Sequence, residues 1–173
     1  MTTIASFSGV TFADSLHILK IESGDDNYIR RPKLHILNEW AAYAISGNAM
    51  FPPAIKLAIE TELKRIIDII IEKGFANASD IGMLHGLITD DAHILVILNN
   101  SRWVIQDKEI VYIPEDQDIF LGSGASHYNS LRFMRDDTAP EVLLSKLVLL
   151  DGQSRGPWIR FEHSKLKSKT IAE

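Results

Sequence analysis

The chain has 173 residues, of which 46% are hydrophobic and 24% charged, with a formal net charge of −5 and no cysteine. That length suits one domain with its own core, and the lack of cysteine excludes disulfides, thiolate metal sites and a cysteine nucleophile. The only basic cluster is the tail Lys165-Leu166-Lys167-Ser168-Lys169 and no run approaches the roughly 18 apolar residues that cross a bilayer, so neither nucleic acid nor membrane is expected as a partner and a cytoplasmic location is.

In chain order, Thr2 to Ser6 and Val10 to Asp14 are predicted as strands of a hairpin about Ser8-Gly9, because Ile4, Val10 and Phe12 alternate with small or polar residues. With a two-residue turn the cross-strand positions sum to 17, which sets Asp14 opposite Thr3 and beside Thr2. A polar separator from Glu22 to Asn27 leads to two strands, Lys33 to Leu37 and Trp40 to Ile45. After Pro52-Pro53 the period changes. Ile55, Ile59, Leu63, Ile66 and Ile70 form one apolar face, which predicts a helix ending near Lys73-Gly74.

Strands return at His93 to Leu98, Trp103 to Gln106, Glu109 to Ile113 and Ile119 to Leu121, with turns at Asn99-Asn100 and Asp107-Lys108. Thr138-Ala139-Pro140-Glu141 carries a cap, an early proline and a glutamate at the box spacing, so a helix runs from there to about Leu149. Trp158 to Glu162 reads as a late strand. Two sheets with helices outside satisfy this order: a single α+β domain over residues 1–163, followed by a polar tail, 164–173, expected to fray.

The chemistry begins at Met1-Thr2-Thr3-Ile4, where the small side chain at position 2 marks Met1 for removal and Thr2 as the mature terminus. An α-amine titrates near pH 8, so Thr2 can carry both the attacking hydroxyl and the base that takes its proton. A cation is needed beside Asp14. Lys33, after Arg31-Pro32, is the candidate: its ammonium lowers the amine pKa and favours alkoxide character, and Asp14 orients it. The six histidines lack metal-ligand spacing, so no metal and no other cofactor is expected. Trp40, Trp103 and Trp158 fall in strand-like segments, as packing or interface anchors do.

Thr2-Thr3-Ile4, Ala13-Asp14-Ser15, Lys33-Leu34-His35-Ile36-Leu37 with Ala44-Ile45-Ser46-Gly47, Leu121-Gly122-Ser123-Gly124 and Asp151-Gly152-Gln153-Ser154-Arg155-Gly156 occur in one order along nearly the whole chain. In that order they resemble the motifs of proteasome β-subunits and HslV-type N-terminal-nucleophile hydrolases. The resemblance implies a four-layer αββα sandwich and a threonine peptidase that cleaves unfolded polypeptide within a homo-oligomeric ring, with an ATPase unfoldase as a possible partner. It assigns the Gly47 N–H as oxyanion donor and places Ser123, Asp151 and Ser154 around the Thr2 amine. Arg31, His35, Ile45 and Ala49 then line the pocket for the residue before the cut.

Three departures bear on activity: a first hairpin about four residues shorter than the family's, Pro52-Pro53 near the expected helix start, and Arg155 in place of a glycine. They keep open a second reading, a catalytically impaired ring protein that acts as scaffold or binding module. Small-amide hydrolysis is a third, since function does not follow from fold.

Overall fold

Gly9 takes φ +73°, a conformation glycine adopts without steric cost, and this closes the Ser8-Gly9 turn between β1 (Thr3–Phe7) and β2 (Val10–Ala13). The computed structural model describes residues 3–20, 26–30, 32–47, 51–125, 127, 139–150 and 158–168. Ile4 pairs with Ala13 and Phe7 with Val10, the register that the two-residue turn requires. On its other edge β1 pairs with β10 (Ile119–Gly122), and β2 pairs with β11 (Ile159–Glu162), so the first sheet runs β10-β1-β2-β11.

The second sheet runs in sequence order, β5 (Leu34–Ile36), β6 (Ala41–Ser46), β7 (His93–Leu98), β8 (Arg102–Gln106) and β9 (Glu109–Ile113), with antiparallel pairing throughout. Asp107 and Lys108 both take positive φ, +48° and +64°, as a two-residue turn between β8 and β9 demands. Between the first hairpin and β5 lies a further antiparallel pair, β3 (Leu16–Lys20) and β4 (Asp26–Arg30). The expected separator of Glu22 to Asn27 is therefore shorter: β4 already begins at Asp26.

Strand alternation divides the core. In β6, Ala41, Tyr43 and Ile45 face α1 (Pro53–Lys73), while Ala42 and Ala44 face the first sheet. Helix α1 buries Ile59, Leu63, Ile66, Ile67 and Ile70, each stabilising by roughly 1.5–3 kcal/mol. It starts at Pro53, where a missing N–H costs nothing, and stops at Gly74, which takes φ +83° and donates its N–H to Ile70 O at 2.7 Å. A short helix, α2 (Gly82–His85), adds Leu84 to the same cluster.

Ile4, Leu95, Ile97, Val104 and Leu121 fill the space between the sheets, and Leu143 and Leu144 of α3 (Pro140–Leu150) pack on Ala5, Phe7, Phe12 and Phe120 of the first sheet. The layers are thus helix, sheet, sheet, helix. Contrary to the expected fraying after His163, Leu166 is buried between the sheets and Lys167 N–H donates to Glu39 O at 2.8 Å. Among the described residues no helix is long and apolar enough to cross a membrane.

One buried polar chain crosses the first sheet. Arg102 Nη1 donates to Ser6 Oγ at 3.0 Å, Ser6 Oγ lies 2.8 Å from Thr11 Oγ1, and Thr11 Oγ1 lies 2.8 Å from His163 Nε2. Arg102 has only protons to give, so the order in which each hydroxyl accepts once and donates once ends on an unprotonated Nε2. Burial, then the Arg102 charge, pushes the His163 pKa down to about 4 from 6.5.

A depressed histidine pKa contributes stability that is complete above the unfolded pKa of 6.5 and is lost as pH falls toward about 4. The loss over that window is about 3 kcal/mol. Urea melts at pH 7 and 4.5 should therefore show wild type losing more stability than His163→Gln. Parallel losses would show that another group governs the acid transition.

Candidate active site

Three groups fix the residue that follows Thr2. Thr3 N–H donates to Asp14 Oδ1 at 2.9 Å, Thr3 O accepts from Asp14 N–H at 3.1 Å, and Thr3 Oγ1 accepts from Gly124 N–H at 3.0 Å. The first two follow from the hairpin register. The third depends on Gly122, which pairs with Thr3 and takes φ +85°, turning the chain so that Gly124 N–H points back at the threonine.

Asp14 Oδ1 also accepts from Lys33 Nζ at 2.9 Å, and both side chains are fully buried. One carboxylate oxygen thus bridges an ammonium and the main chain one residue from Thr2. Lys33 O accepts from Ile45 N–H at 3.2 Å, which ties the lysine to the end of β6. A fully buried pair of this kind is costly to desolvate, so its presence is not explained by stability alone.

Gly47 follows β6 with φ +90°. A Cβ there would stand 2.4 Å from Asp91 O, so the close approach of two chain segments requires glycine. Gly47 and Ser123 line one cavity of about 430 Å³, together with Ser46, His93, Gln106 and Gly122. A larger cavity, about 570 Å³, lies between Trp40, Trp103 and Tyr112 at the Leu98 end of β7, the end away from Gly47. Size therefore does not mark the candidate site; the convergence of Asp14, Lys33, Gly122 and Gly47 does.

Of the pocket residues, His35 stacks on Tyr43 with ring centroids 5.1 Å apart, and Ile45 is buried beneath α1. Tyr43 Oη donates to Glu60 at 2.7 Å, and burial and this bond raise its pKa. Burial, then the Lys56 charge, lowers that of His35. Thr2, Arg31, Ala49, Asp151 and Ser154 lie outside the described residues.

Sequence reading passed over Thr3, whose side chain meets the Gly122-Ser123-Gly124 turn, although its place opposite Asp14 marked it. It also passed over Ser46, a buried hydroxyl beside Gly47 with no local signal. Among the described residues no group of three or more His, Asp or Glu side chains could hold a metal ion.

Neither a protein-family model nor a curated protein sequence matches the chain. Solved structures do. Eukaryotic HslV from Trypanosoma brucei superposes with a TM-score of 0.63 at 12% identity, over 94% of this chain and 99% of that one. Thiobacillus denitrificans BPH in complex with epoxomicin superposes with a TM-score of 0.60 at 12% identity, over 92% and 96%. With Asp14, Lys33, Gly47 and the Gly122-Ser123-Gly124 turn gathered at one end of its two sheets, the chain has the fold of the HslV and proteasome-type N-terminal-nucleophile hydrolases.

Proposed function

We propose that the chain is a threonine-type peptidase that cleaves unfolded polypeptides through an acyl-enzyme on Thr2. The observation that carries this reading is Asp14 Oδ1 shared between Lys33 Nζ and Thr3 N–H, which brings a buried cation to the start of β1. Once Met1 is removed, the Thr2 α-amine takes the hydroxyl proton as Oγ attacks the peptide carbonyl carbon. The Lys33 charge favours the ionised oxygen, and the Gly47 N–H donates to the oxyanion. Collapse breaks the C–N bond, and the amine's proton goes to the leaving nitrogen. Water then attacks the ester by the same route and restores Thr2. Ser123, Asp151 and Ser154 hold the amine in place, and Arg31, His35, Ile45 and Ala49 receive the residue before the cut.

By the same resemblance the working form is a homo-oligomeric ring in the cytoplasm that an ATPase unfoldase feeds. Exposed Val111 and Tyr112 on the edge strand β9 point to opposite faces of the second sheet, so the contact this edge offers is the open strand itself. Epoxomicin, the ligand in complex with one structural neighbour, supplies the test. Intact mass should show a chain beginning at Thr2 that gains one epoxomicin, and Thr2→Ala should gain none. A chain that keeps Met1 or an acetylated terminus in most molecules, and takes up no inhibitor, refutes the peptidase reading.

A further inference from the structure

Ser46, His93 and Gln106 form a row across three strands. Ser46 pairs with His93 at the end of the β6–β7 ladder, and the β7–β8 register continues from Ile94 and Ile105 to set His93 beside Gln106. Alternation places all three on the inter-sheet side, since Ala44, Leu95 and Val104, two residues from each, belong to the core between the sheets. They form the polar wall of the 430 Å³ cavity, which Gly47 also lines and whose opposite side is Phe120, Leu121, Gly122, Ser123 and Ala125.

The Ser46 hydroxyl is fully buried and has no hydrogen-bond partner among the described residues. A buried hydroxyl left without a partner is destabilising, and its persistence beside an open cavity calls for a group that enters from outside. An alanine in its place would fill the same space.

We infer that Ser46, His93 and Gln106 form a subsite for the substrate residue that follows the scissile bond, selective for an uncharged amide side chain. This rests on the peptidase reading above. There the residue before the cut lies with His35 and Ile45 on the α1 side of the second sheet, and Gly47 N–H holds the carbonyl between. The opposite, inter-sheet side of Gly47 is left for the leaving group. The chemistry follows from the two sides of the lining: a hydroxyl, an imidazole and a carboxamide each donate and accept, so they match an amide that does both, and Phe120, Leu121 and Ala125 take the methylenes that carry it. Asp91, also on the lining, opposes a carboxylate. An apolar side chain would bury Ser46 and the nearby polar groups without partners.

The test is a set of peptides identical except for the residue after the cut, Gln, Leu, Glu or Lys, run against wild type, Ser46→Ala and Gln106→Ala. Wild type is expected to favour Gln over Leu by about tenfold in kcat/KM, the effect of one or two neutral hydrogen bonds. In Ser46→Ala and Gln106→Ala that ratio is expected to fall toward one. Ser46→Ala should also melt at or above the wild-type temperature, because it removes a buried hydroxyl that no described residue satisfies.

A wild type that epoxomicin labels but that shows no preference for Gln, prefers Lys or Glu, or keeps its Gln preference in both variants overturns the subsite and leaves the nucleophile assignment standing. A wild type that epoxomicin does not label, and that cleaves none of the peptides, removes the peptidase reading and the subsite together.

Discussion

Lys33→Ala is expected to lower kcat/KM by on the order of 1,000-fold, the scale of a lost charge that both favours the ionised Thr2 oxygen and lowers the pKa of the α-amine that acts as base. The folded chain should survive it. Asp14 keeps the hydrogen bond from Thr3 N–H when the ammonium is gone, so the carboxylate is not left without a donor. Lys33→Met also leaves the buried Asp14 carboxylate without its countercharge but keeps the stem, so it should lose less stability than Lys33→Ala and be equally inactive.

Asp14→Ala is expected to behave differently because it removes the shared oxygen from both partners at once. It takes the carboxylate from a fully buried ammonium and releases the side-chain clamp on Thr3 N–H. Breaking a buried pair from one side costs about 3–5 kcal/mol, so urea melts should place this variant well below both lysine variants. Peptide hydrolysis measured beside those melts separates the two roles. Wild-type turnover in Lys33→Met would remove lysine from the chemistry, and equal stability of the Asp14 and Lys33 variants would contradict the bridging geometry.

Local signals carried far in this chain where partners are close in sequence. The Ser8-Gly9 turn sets the hairpin register, and that register alone puts Asp14 opposite Thr3, as the hydrogen bonds between them attest. The apolar spacing of α1 and the glycine after it define a helix whose observed end is Lys73. The Pro52-Pro53 pair is accommodated where α1 starts, since Pro53 occupies the first helical position.

What stayed hidden depends on distant partners. The β3–β4 pair includes Asp26 and Asn27, residue types that read as linker because strand preference reflects cross-strand neighbours more than the backbone itself. Leu166 lies in a polar tail and gives no sign that it inserts between the sheets. The Arg102, Ser6, Thr11 and His163 chain joins residues from three separate strands and a late turn, and no spacing rule unites them. Ser46 is similar: only the assembled sheets show that its hydroxyl faces the cavity side.

Gly47→Ala is expected to damage stability and turnover together, and the reason lies in the backbone. At φ +90° an alanine meets a steric cost of about 1–2 kcal/mol before any contact is considered. Its Cβ would also stand 2.4 Å from Asp91 O and 3.0 Å from Ala92 Cα, atoms of the main chain that leads into β7 and cannot rotate away as a side chain could. The end of β6 or the Asp91-Ala92 segment must therefore shift. For a chain of this length each 1 kcal/mol lowers the melting temperature by about 2–4 °C, so a fall of at least about 3 °C is expected. The same shift moves the Gly47 N–H from where the oxyanion forms, and loss of such a donor reduces kcat by on the order of 100-fold. Because that interaction exists only in the transition state, KM should change little and the loss should fall on kcat. A Gly47→Ala enzyme that melts with wild type and keeps its kcat would place the oxyanion donor elsewhere and show that the Asp91 contact yields without cost.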